Sequence, residues 1–216
     1  MSLVRLILVR HGQTEWNVQG RLQGHLDSPL TALGCLQASA VGSCLKSLGC
    51  DALVHSDLGR TCETARLIAA ETGLPLQPQP ALRERALGIM EGLTKTEVRA
   101  RYPQAFRRYE AREPDFIVPR GESLRQVFER TRACLEQLAL AYDGATLAVV
   151  THGGILDAAY RLITGTALDT PRRFPLFNAG LNRIDRYDRT WRLASWGDIA
   201  HLQALEHKTR VSAFGD

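Results

Sequence analysis

Two histidines stand in the same local setting at distant points of the chain. His11 follows the apolar run Leu6–Val9 and Arg10, His152 follows the run Ala145–Thr151, and each is followed by glycine. Short apolar runs bounded by polar residues are typical of buried strands. Because ligands bind at the carboxyl ends of the strands in open α/β sheets, we expect both imidazoles to face one site. A single histidine at a strand end is usually structural, and its repetition favours chemistry.

Two arginines belong to the same region. Arg10 precedes His11, and Arg60 lies at the start of the helix expected after a third short strand, Ala52–Val54. Arginine side chains and helix N-termini both favour anions, so these groups predict a phosphate or carboxylate pocket. The chain carries 27 Lys+Arg against 23 Asp+Glu without a clustered basic run. This pattern favours small anionic molecules over nucleic acid as partners.

The residue types around this pocket predict phosphoryl transfer without a metal. No acidic cluster suggests Mg²⁺, and the five cysteines, without C-x-x-C spacing, indicate neither zinc nor a disulfide framework. Arginine and imidazole can stabilise charge on the transferring oxygens instead. A neutral histidine can form a phosphohistidine when one ring nitrogen is held by a hydrogen bond, and a carboxylic acid must protonate the leaving oxygen. We therefore expect no cofactor, only transient phosphorylation of a histidine.

Residues 8–17, Leu-Val-Arg-His-Gly-Gln-Thr-Glu-Trp-Asn, resemble the signature of the histidine phosphatase superfamily, which includes cofactor-dependent phosphoglycerate mutases. Further matches follow in order along nearly the whole chain, at 21–24, 27–31, 56–61, 82–84, 91–92, 119–123 and 151–153. An ordered set of this kind is far more specific than a lone Arg-His-Gly.

The resemblance implies a role for each matching position. His11 would be the phosphorylated nucleophile, His152 would stabilise the transition state, and Glu84 would be the proton donor and acceptor. Glu91 is the rival for the Glu84 role, with a loop-fixing hydrogen bond as its structural alternative. The residues implied for phosphate binding are Arg10, Asn17, Arg60 and Gly153, and those implied for the substrate side are Gln23 and Gly24.

The order of the expected elements predicts an α/β fold. Strands and helices alternate, which favours a three-layer α/β/α sandwich around a mostly parallel, doubly wound sheet. Segments 182–187 and 191–195 indicate an antiparallel hairpin at one edge of that sheet. We expect residues 1–216 to form a single domain in which 85–122 are a helical cap insertion.

Several local expectations can be tested against the structure. Thr31 and Ser123 are expected to cap long helices, and Ser56 or Asp57 the helix that carries Arg60. The charges on the helix after Ser123 are expected to form a solvated face; they are Arg125, Glu129, Arg130, Arg132 and Glu136. Candidates for shaping the substrate pocket are Phe106, Tyr109, Phe116 and Arg120.

Within the family, the cap separates phosphatases from mutases. The mutases tend to carry a longer cap with paired arginines. Arg107 and Arg108 are paired here but lack the residues that surround the mutase pair, and the stretch leading to 119–123 resembles the phosphatase branch. We predict a metal-independent phosphomonoesterase for small phosphorylated metabolites. The alternatives are a cofactor-dependent phosphoglycerate mutase and, outside the enzymes, a module that binds a phosphorylated ligand.

The first residues, the apolar runs and the sheet edge bear on location and assembly. The first residues lack the layout of a signal peptide and no apolar run is long enough to cross a membrane, so we predict a cytoplasmic protein without a membrane partner. The hairpin edge leaves a homodimer open. The polar tail after Leu202 is expected to be loosely held.

Overall fold

The computed structural model describes residues 3–203 and residue 205. The strands are β1 (Leu3–Arg10), β2 (Ala52–His55), β3 (Leu76–Pro78), β4 (Thr146–Thr151), β5 (Leu181–Tyr187) and β6 (Thr190–Asp198). The helices are α1 (Glu15–Val18), α2 (Ala32–Leu48), α3 (Gly59–Thr72), α4 (Lys95–Arg101), α5 (Pro103–Glu110), α6 (Leu124–Ala141) and α7 (Gly153–Thr164). Short 3-10 turns occupy Pro80–Leu82, Gly88–Met90 and Ala200–Leu202. The tail after Leu202 lies almost wholly outside the described residues, so its expected looseness stays a prediction.

The strands form one mixed sheet in the order β3-β2-β4-β1-β5-β6. The first four in this order run parallel, and β5 and β6 form the expected antiparallel edge. β1 and β4 are direct neighbours in register, with Arg10 opposite Thr151. The residues that follow these strands, His11 and His152, therefore emerge side by side.

Helices cover both faces of the sheet. The side chains of Leu6 and Leu8 belong to an apolar cluster with residues of α6 and α7, whereas Ile7 and Val9 pack with residues of α2 and α3. Alternate residues of a strand point to opposite faces, so β1 is buried on both sides. The predicted three-layer α/β/α architecture is confirmed.

Two of the expected helix caps are present. The Thr31 hydroxyl accepts a hydrogen bond from the backbone N–H of Gly34, and that of Ser123 from Gln126. These caps are local in sequence, because the capping side chain bonds a backbone group three residues further on.

The expected cap of α3 is wrong. The residue before this helix is Leu58, and neither Ser56 nor Asp57 caps it. A carboxylate from a distant loop does so instead: Asp27 accepts the backbone N–H groups of Gly59 at 2.6 Å and Arg60 at 3.2 Å. A tertiary contact of this kind leaves no local signal in the sequence.

Residues 85–122 carry their own apolar cluster beside the main core. Its buried members are Leu87, Met90, Val98, Phe106, Phe116 and Val118. The helical stretch breaks at Pro103 as expected, between α4 and α5. In the part of the chain that the structure describes, no helix combines the length and apolar character needed to span a membrane.

Candidate active site

A cavity of about 700 Å³ opens at the carboxyl ends of the parallel strands. Its lining includes these sequence-predicted site residues: Arg10, His11, Asn17, Gln23, Gly24, Arg60, Glu84 and Gly153. His152 lies behind them, fully buried, with its ring centroid 5.4 Å from that of His11. The residues that the resemblance implied are thus brought together at one place.

His11 is buried and held by the main chain. Its Nδ1 lies 2.8 Å from the carbonyl oxygen of Gly12, to which a protonated Nδ1 donates. The other ring nitrogen, Nε2, has no hydrogen-bond partner among the described residues. Burial, reinforced by the charges of Arg10 and Arg60, holds the pKa of His11 well below its usual range. The imidazole is therefore neutral, with the Nε2 lone pair free.

His152 is the second buried imidazole. Its Nε2 lies 2.8 Å from the hydroxyl oxygen of Ser56, and its Nδ1 is buried without a partner among the described residues. Burial, followed by the charges of Arg60 and His11, keeps the pKa of His152 well below its usual range. The contact with Ser56 was not predicted, although this serine stands in one of the matching motifs.

Arg60 is almost wholly buried and its guanidinium is fixed by one loop. Nη1 donates to the carbonyl of Leu26 at 2.9 Å and to Asp27 at 2.7 Å, and Nη2 donates to the carbonyl of Gly24 at 2.8 Å. Its Nε is buried and has no hydrogen-bond partner within residues 3–203 and 205. Gly24, implied for the substrate side, lines the cavity and also helps to orient this arginine.

Arg10 provides a second buried cation. Its Nη1 donates to the carbonyl of Leu176 at 2.5 Å, and its Nε is also buried with no partner in the part of the chain that the structure describes. Burial lowers the pKa of Arg10, and the nearby charge of Glu84 opposes that shift. Unpaired buried donors are costly, so the orphan Nε atoms of Arg10 and Arg60 point to an anionic ligand.

Helix α3 also contacts the segment that carries His11. The hydroxyl of Thr64 accepts the backbone N–H of Gly12 at 3.1 Å and donates to the carbonyl of Arg60 at 2.7 Å. On its other side Gly12 packs against the backbone of Gly34, where a Cβ atom would collide. A glycine is required here because two stretches of main chain meet.

Two amides complete this end of the cavity. Asn17 Oδ1 accepts from the backbone of Thr14 at 3.1 Å and from Asn178 Nδ2 at 3.2 Å, which leaves its own Nδ2 as a free donor among the described residues. Asn178 also donates to the carbonyl of His11 at 3.0 Å. Gln23 Nε2 donates to the hydroxyl of Thr14 at 2.8 Å, and its Oε1 is buried and accepts no hydrogen bond from the described residues. No sequence motif had pointed to Asn178.

Glu84 faces the N-terminus of α7. Its Oε1 accepts the backbone N–H groups of Arg85 at 2.8 Å and Gly154 at 3.0 Å, and its Oε2 lies 3.1 Å from the same Gly154 nitrogen. A Cβ atom at Gly154 would collide with Oε1. The carboxyl is therefore held in the cavity lining beside Gly153, and it acts on Arg10 through its charge.

A family model described as histidine phosphatase superfamily (branch 1) matches residues 6–199. The chain belongs to this superfamily. A relative from Arabidopsis thaliana named metal-independent phosphoserine phosphatase is 36% identical over 207 residues, covering 94% of this chain and 85% of its own. A relative from Proteus mirabilis named probable phosphoglycerate mutase GpmB is 34% identical over 205 residues, covering 93% and 95% of the two chains.

Solved structures agree with this assignment. The structure of mycobacterial glucosyl-3-phosphoglycerate phosphatase in complex with VO3 has a TM-score of 0.80 and 32% identity, covering 89% of this chain and 98% of that one. The predicted family, fold and enzyme class are confirmed: the protein is a phosphatase of the histidine phosphatase superfamily.

Glu91 of the phosphatase, the rival of Glu84, fixes a loop. Its Oε1 accepts the backbone N–H groups of His25 at 3.0 Å, Leu87 at 2.8 Å and Gly88 at 3.2 Å. It is not part of the cavity lining. These contacts match the structural alternative given for this residue.

Hydrogen bonds from two side chains hold the main chain at and before Glu84. Arg130 Nη1 donates to the carbonyls of Ala81 at 2.7 Å and Arg83 at 2.8 Å, and its Nη2 pairs with Glu122 at 3.0 Å. From the other side, His25 Nε2 lies 2.8 Å from the carbonyl of Glu84. The expectation that Arg130 belongs to a solvated face is wrong, because helix α6 turns this side chain onto the segment before Glu84.

Only one of the residues expected to shape the substrate pocket lines the cavity. Of the four candidates only Tyr109 lines the cavity, because Phe106 and Phe116 are buried in the cluster of segment 85–122. The Arg107–Arg108 pair does not reach it either: Arg108 pairs with Glu113 at 2.6 Å. Arg112 and Arg172 line the cavity instead, and neither was predicted.

Among the described residues no group of three or more His, Cys, Asp or Glu side chains is arranged to hold a metal ion.

Proposed function

We propose that this phosphatase hydrolyses small phosphorylated metabolites without a metal, through a phosphohistidine on His11. One observation carries the proposal: a buried, neutral imidazole lies beside two arginines, and neither its Nε2 nor their buried Nε donors have a partner among the described residues. A phosphoryl group bound to these donors presents phosphorus to the Nε2 lone pair. Preorganised cations in a site shielded from water stabilise the charge of the transferring oxygens.

In the first half-reaction, His11 Nε2 attacks phosphorus as the ester P–O bond breaks. The leaving oxygen takes a proton from the carboxylic acid of Glu84. In the second half-reaction, the Glu84 carboxylate takes a proton from water, the water oxygen bonds to phosphorus and the P–N bond breaks. Inorganic phosphate leaves, and both residues return to their starting state.

His152, Asn17 and Gly153 assist this transfer in the proposed mechanism. Ser56 orients the His152 ring through Nε2, and the buried Nδ1 has no partner among the described residues, as expected of a group that meets the transferring oxygens. A bound phosphate dianion raises the pKa of this imidazole, so that it serves as a donor in the transition state. The free amide of Asn17 and the N-terminus of α7 at Gly153 bind further phosphate oxygens.

The named activities of relatives support hydrolysis. One is called a metal-independent phosphoserine phosphatase and another structure is of a glucosyl-3-phosphoglycerate phosphatase. The structure supports phosphoglycerate mutase activity less well than hydrolysis, because neither Arg107 nor Arg108 lines the cavity. A silent binding module is disfavoured because His11, Glu84 and His152 are all in place.

The remaining sequence-based expectations stay predictions. We propose that 1–216 form one domain in which 85–122 act as a cap, since Leu87, Tyr109 and Arg112 line the same cavity as His11. A cytoplasmic location, the absence of nucleic-acid and membrane partners, and a homodimer remain untested.

The test compares hydrolysis with isomerisation. The protein is given p-nitrophenyl phosphate and 3-phosphoglycerate in the presence of a chelator, and free phosphate and 2-phosphoglycerate are measured together with acid-labile, alkali-stable phosphate on the protein. We expect phosphate release, chelator resistance and a transient phosphoenzyme. Rapid formation of 2-phosphoglycerate with little free phosphate would establish the mutase instead.

A further inference from the structure

A second group of polar side chains, three arginines and a tyrosine, lines the cavity in addition to the residues assigned to the reaction. Arg85, Tyr109 and Arg112 come from segment 85–122, and Arg172 comes from the loop that follows α7. We call these four residues the outer cluster. The Arg85 guanidinium lies 5.6 Å from the centre of the Tyr109 ring. Hydrolysis at His11 does not use these side chains, so their charge requires a separate explanation.

Arg112 is held in a fixed orientation. Its Nε donates to the carbonyl of Leu168 at 3.0 Å and its Nη2 to Asp157 at 2.6 Å. The same carboxylate accepts from the fully buried Arg161 at 2.9 Å. One acid therefore serves two guanidinium groups, and the region keeps an excess of positive charge.

Arg172 adds to this excess. Within the described residues it has neither a hydrogen bond nor an ion pair, although its charge is close enough to lower the pKa of Arg10 and of Tyr109. Burial, together with the charge of Glu84, raises the pKa of Tyr109 despite the opposing effect of the surrounding arginines. The phenol therefore stays protonated and can donate a hydrogen bond in the midst of these cations.

Other cations at the cavity rim differ in this respect. Arg21 has Glu97 as its partner at 3.0 Å, and Lys95 lies 3.9 Å from Glu110. Their charges are matched by the protein itself. Arg172 differs from these two cations, because it has no such partner among the described residues.

Aromatic packing and a hydrogen bond hold the loop that carries Arg172. Phe174 stacks on Tyr160 with ring centroids 3.7 Å apart, and it meets Trp196 edge-on at 5.8 Å. Trp196 Nε1 donates to the carbonyl of Pro175 at 3.0 Å. These aromatic contacts hold the backbone of Arg172 at the cavity wall before any ligand arrives, which limits the entropy lost on binding.

We propose, building on the function proposed above, that the outer cluster binds a second anionic group of the substrate. The favoured substrates are then phosphomonoesters that also carry a carboxylate or a second phosphate. Guanidinium groups recognise both kinds of anion through paired N–H donors, and the Tyr109 hydroxyl supplies one more donor. Arg107 and Arg108, the pair that the mutase resemblance would use, play no part.

The test uses pairs of compounds that differ by one acidic group. The carboxylate arm compares 3-phosphoglycerate with glycerol 3-phosphate and O-phosphoserine with O-phosphoethanolamine, and the phosphate arm compares fructose 1,6-bisphosphate with fructose 6-phosphate. Phosphate release gives kcat/KM for each compound in the wild type, Arg172→Gln, Arg172→Lys and Arg173→Gln. Arg173 is the matched control, since it is an exposed neighbour outside the cavity lining.

We expect the wild type to prefer the acid-bearing member of at least one pair. Arg172→Gln should reduce that preference by about 10- to 100-fold, as for a lost charge-assisted hydrogen bond. Arg172→Lys should retain part of the preference, and Arg173→Gln all of it. Equal rates within every pair, or equal losses in Arg172→Gln and Arg173→Gln, would overturn the proposal.

Binding to the His11→Ala variant separates this proposal from the proposed function. Calorimetric titration with 3-phosphoglycerate and glycerol 3-phosphate needs no turnover. Tighter binding of 3-phosphoglycerate that is lost on adding Arg172→Gln supports the outer cluster even for a protein that hydrolyses neither compound. Turnover of p-nitrophenyl phosphate by the wild type without any preference between the two ligands leaves hydrolysis standing and removes the outer cluster as a subsite.

Discussion

The two ends of the cavity are built in different ways. At the inner end, the backbone N–H of His11 donates to Thr151 at 3.0 Å and its ring is held by the carbonyl of Gly12. At the outer end, long side chains such as Arg112 and Arg172 reach in from connecting segments. Main-chain contacts follow from the fold itself, whereas side-chain reach depends on single residues. The inner end is therefore suited to fixed chemistry and the outer end to selectivity.

Replacing His11 with alanine should give the largest effect, because it removes the proposed nucleophile. We expect kcat to fall below about one thousandth of wild type with every substrate, as when a nucleophile is deleted. Phosphate release and acid-labile phosphorylation measure the loss, and thermal unfolding verifies the fold. Phosphorylation that persists in this variant would place the nucleophile elsewhere.

Replacing Glu84 with glutamine should impair one class of substrate more than another. Without the acid, kcat for alkyl phosphates should fall by about 10²- to 10³-fold, whereas p-nitrophenyl phosphate, with its better leaving group, should lose much less. Glu91→Gln is the comparison, since it disturbs a loop and should affect both substrates alike. Equal losses for both substrates in Glu84→Gln would reduce this residue to a structural role.

Arg130→Gln should give a weaker form of the same pattern. This arginine positions the segment before Glu84, so we expect about a tenfold loss on alkyl phosphates and less on p-nitrophenyl phosphate, as for a displaced catalytic group. Arg132→Gln, on the exposed side of α6, is the matched control. If Arg130→Gln lost the same fraction of activity on both kinds of substrate, Arg130 would have no influence on the position of the Glu84 carboxyl.

The smallest effect concerns stability against pH. His11 and His152 are neutral in the fold with lowered pKa values, whereas in the unfolded chain they take up protons below about pH 6.5. Unfolding therefore becomes easier as the pH falls through this range. We expect the Tm of the wild type to drop by a few degrees between about pH 7.5 and 5, and that of His11→Asn to drop by less. Arg172→Gln should show the same drop as the wild type, because arginine does not titrate in this pH range. An equal pH dependence in His11→Asn would contradict this account.

The inner end could be predicted because its signals are local. Apolar runs that end in Arg-His-Gly and Thr-His-Gly mark strand ends, and parallel pairing brings such ends together. The ordered motifs then implied roles for Asn17, Arg60 and Glu84, and all of these line the cavity. Sequence and geometry agree here because each residue is positioned by a regular element or by the loop next to one.

At the outer end only Tyr109 was predicted, and its arginines could not be, for physical reasons. Arg172 lies in an irregular loop without periodicity, and Arg112 adopts a left-handed backbone conformation, with φ at 54°, that its residue type does not favour. The cap of α3 by Asp27 and the bond from Asn178 to His11 join segments far apart in sequence. Contacts of this kind depend on tertiary packing, which propensities and local motifs do not encode.

Thr64 gives the inner end a property beyond static geometry. It lies one helical turn after Arg60 on α3 and bonds to both the carbonyl of Arg60 and the backbone of Gly12. One hydroxyl therefore links the helix that carries Arg60 to the main chain beside the nucleophile. We expect a displacement of α3 to move the arginine and the histidine segment together, so that the distance between the bound phosphoryl group and the attacking nitrogen changes little.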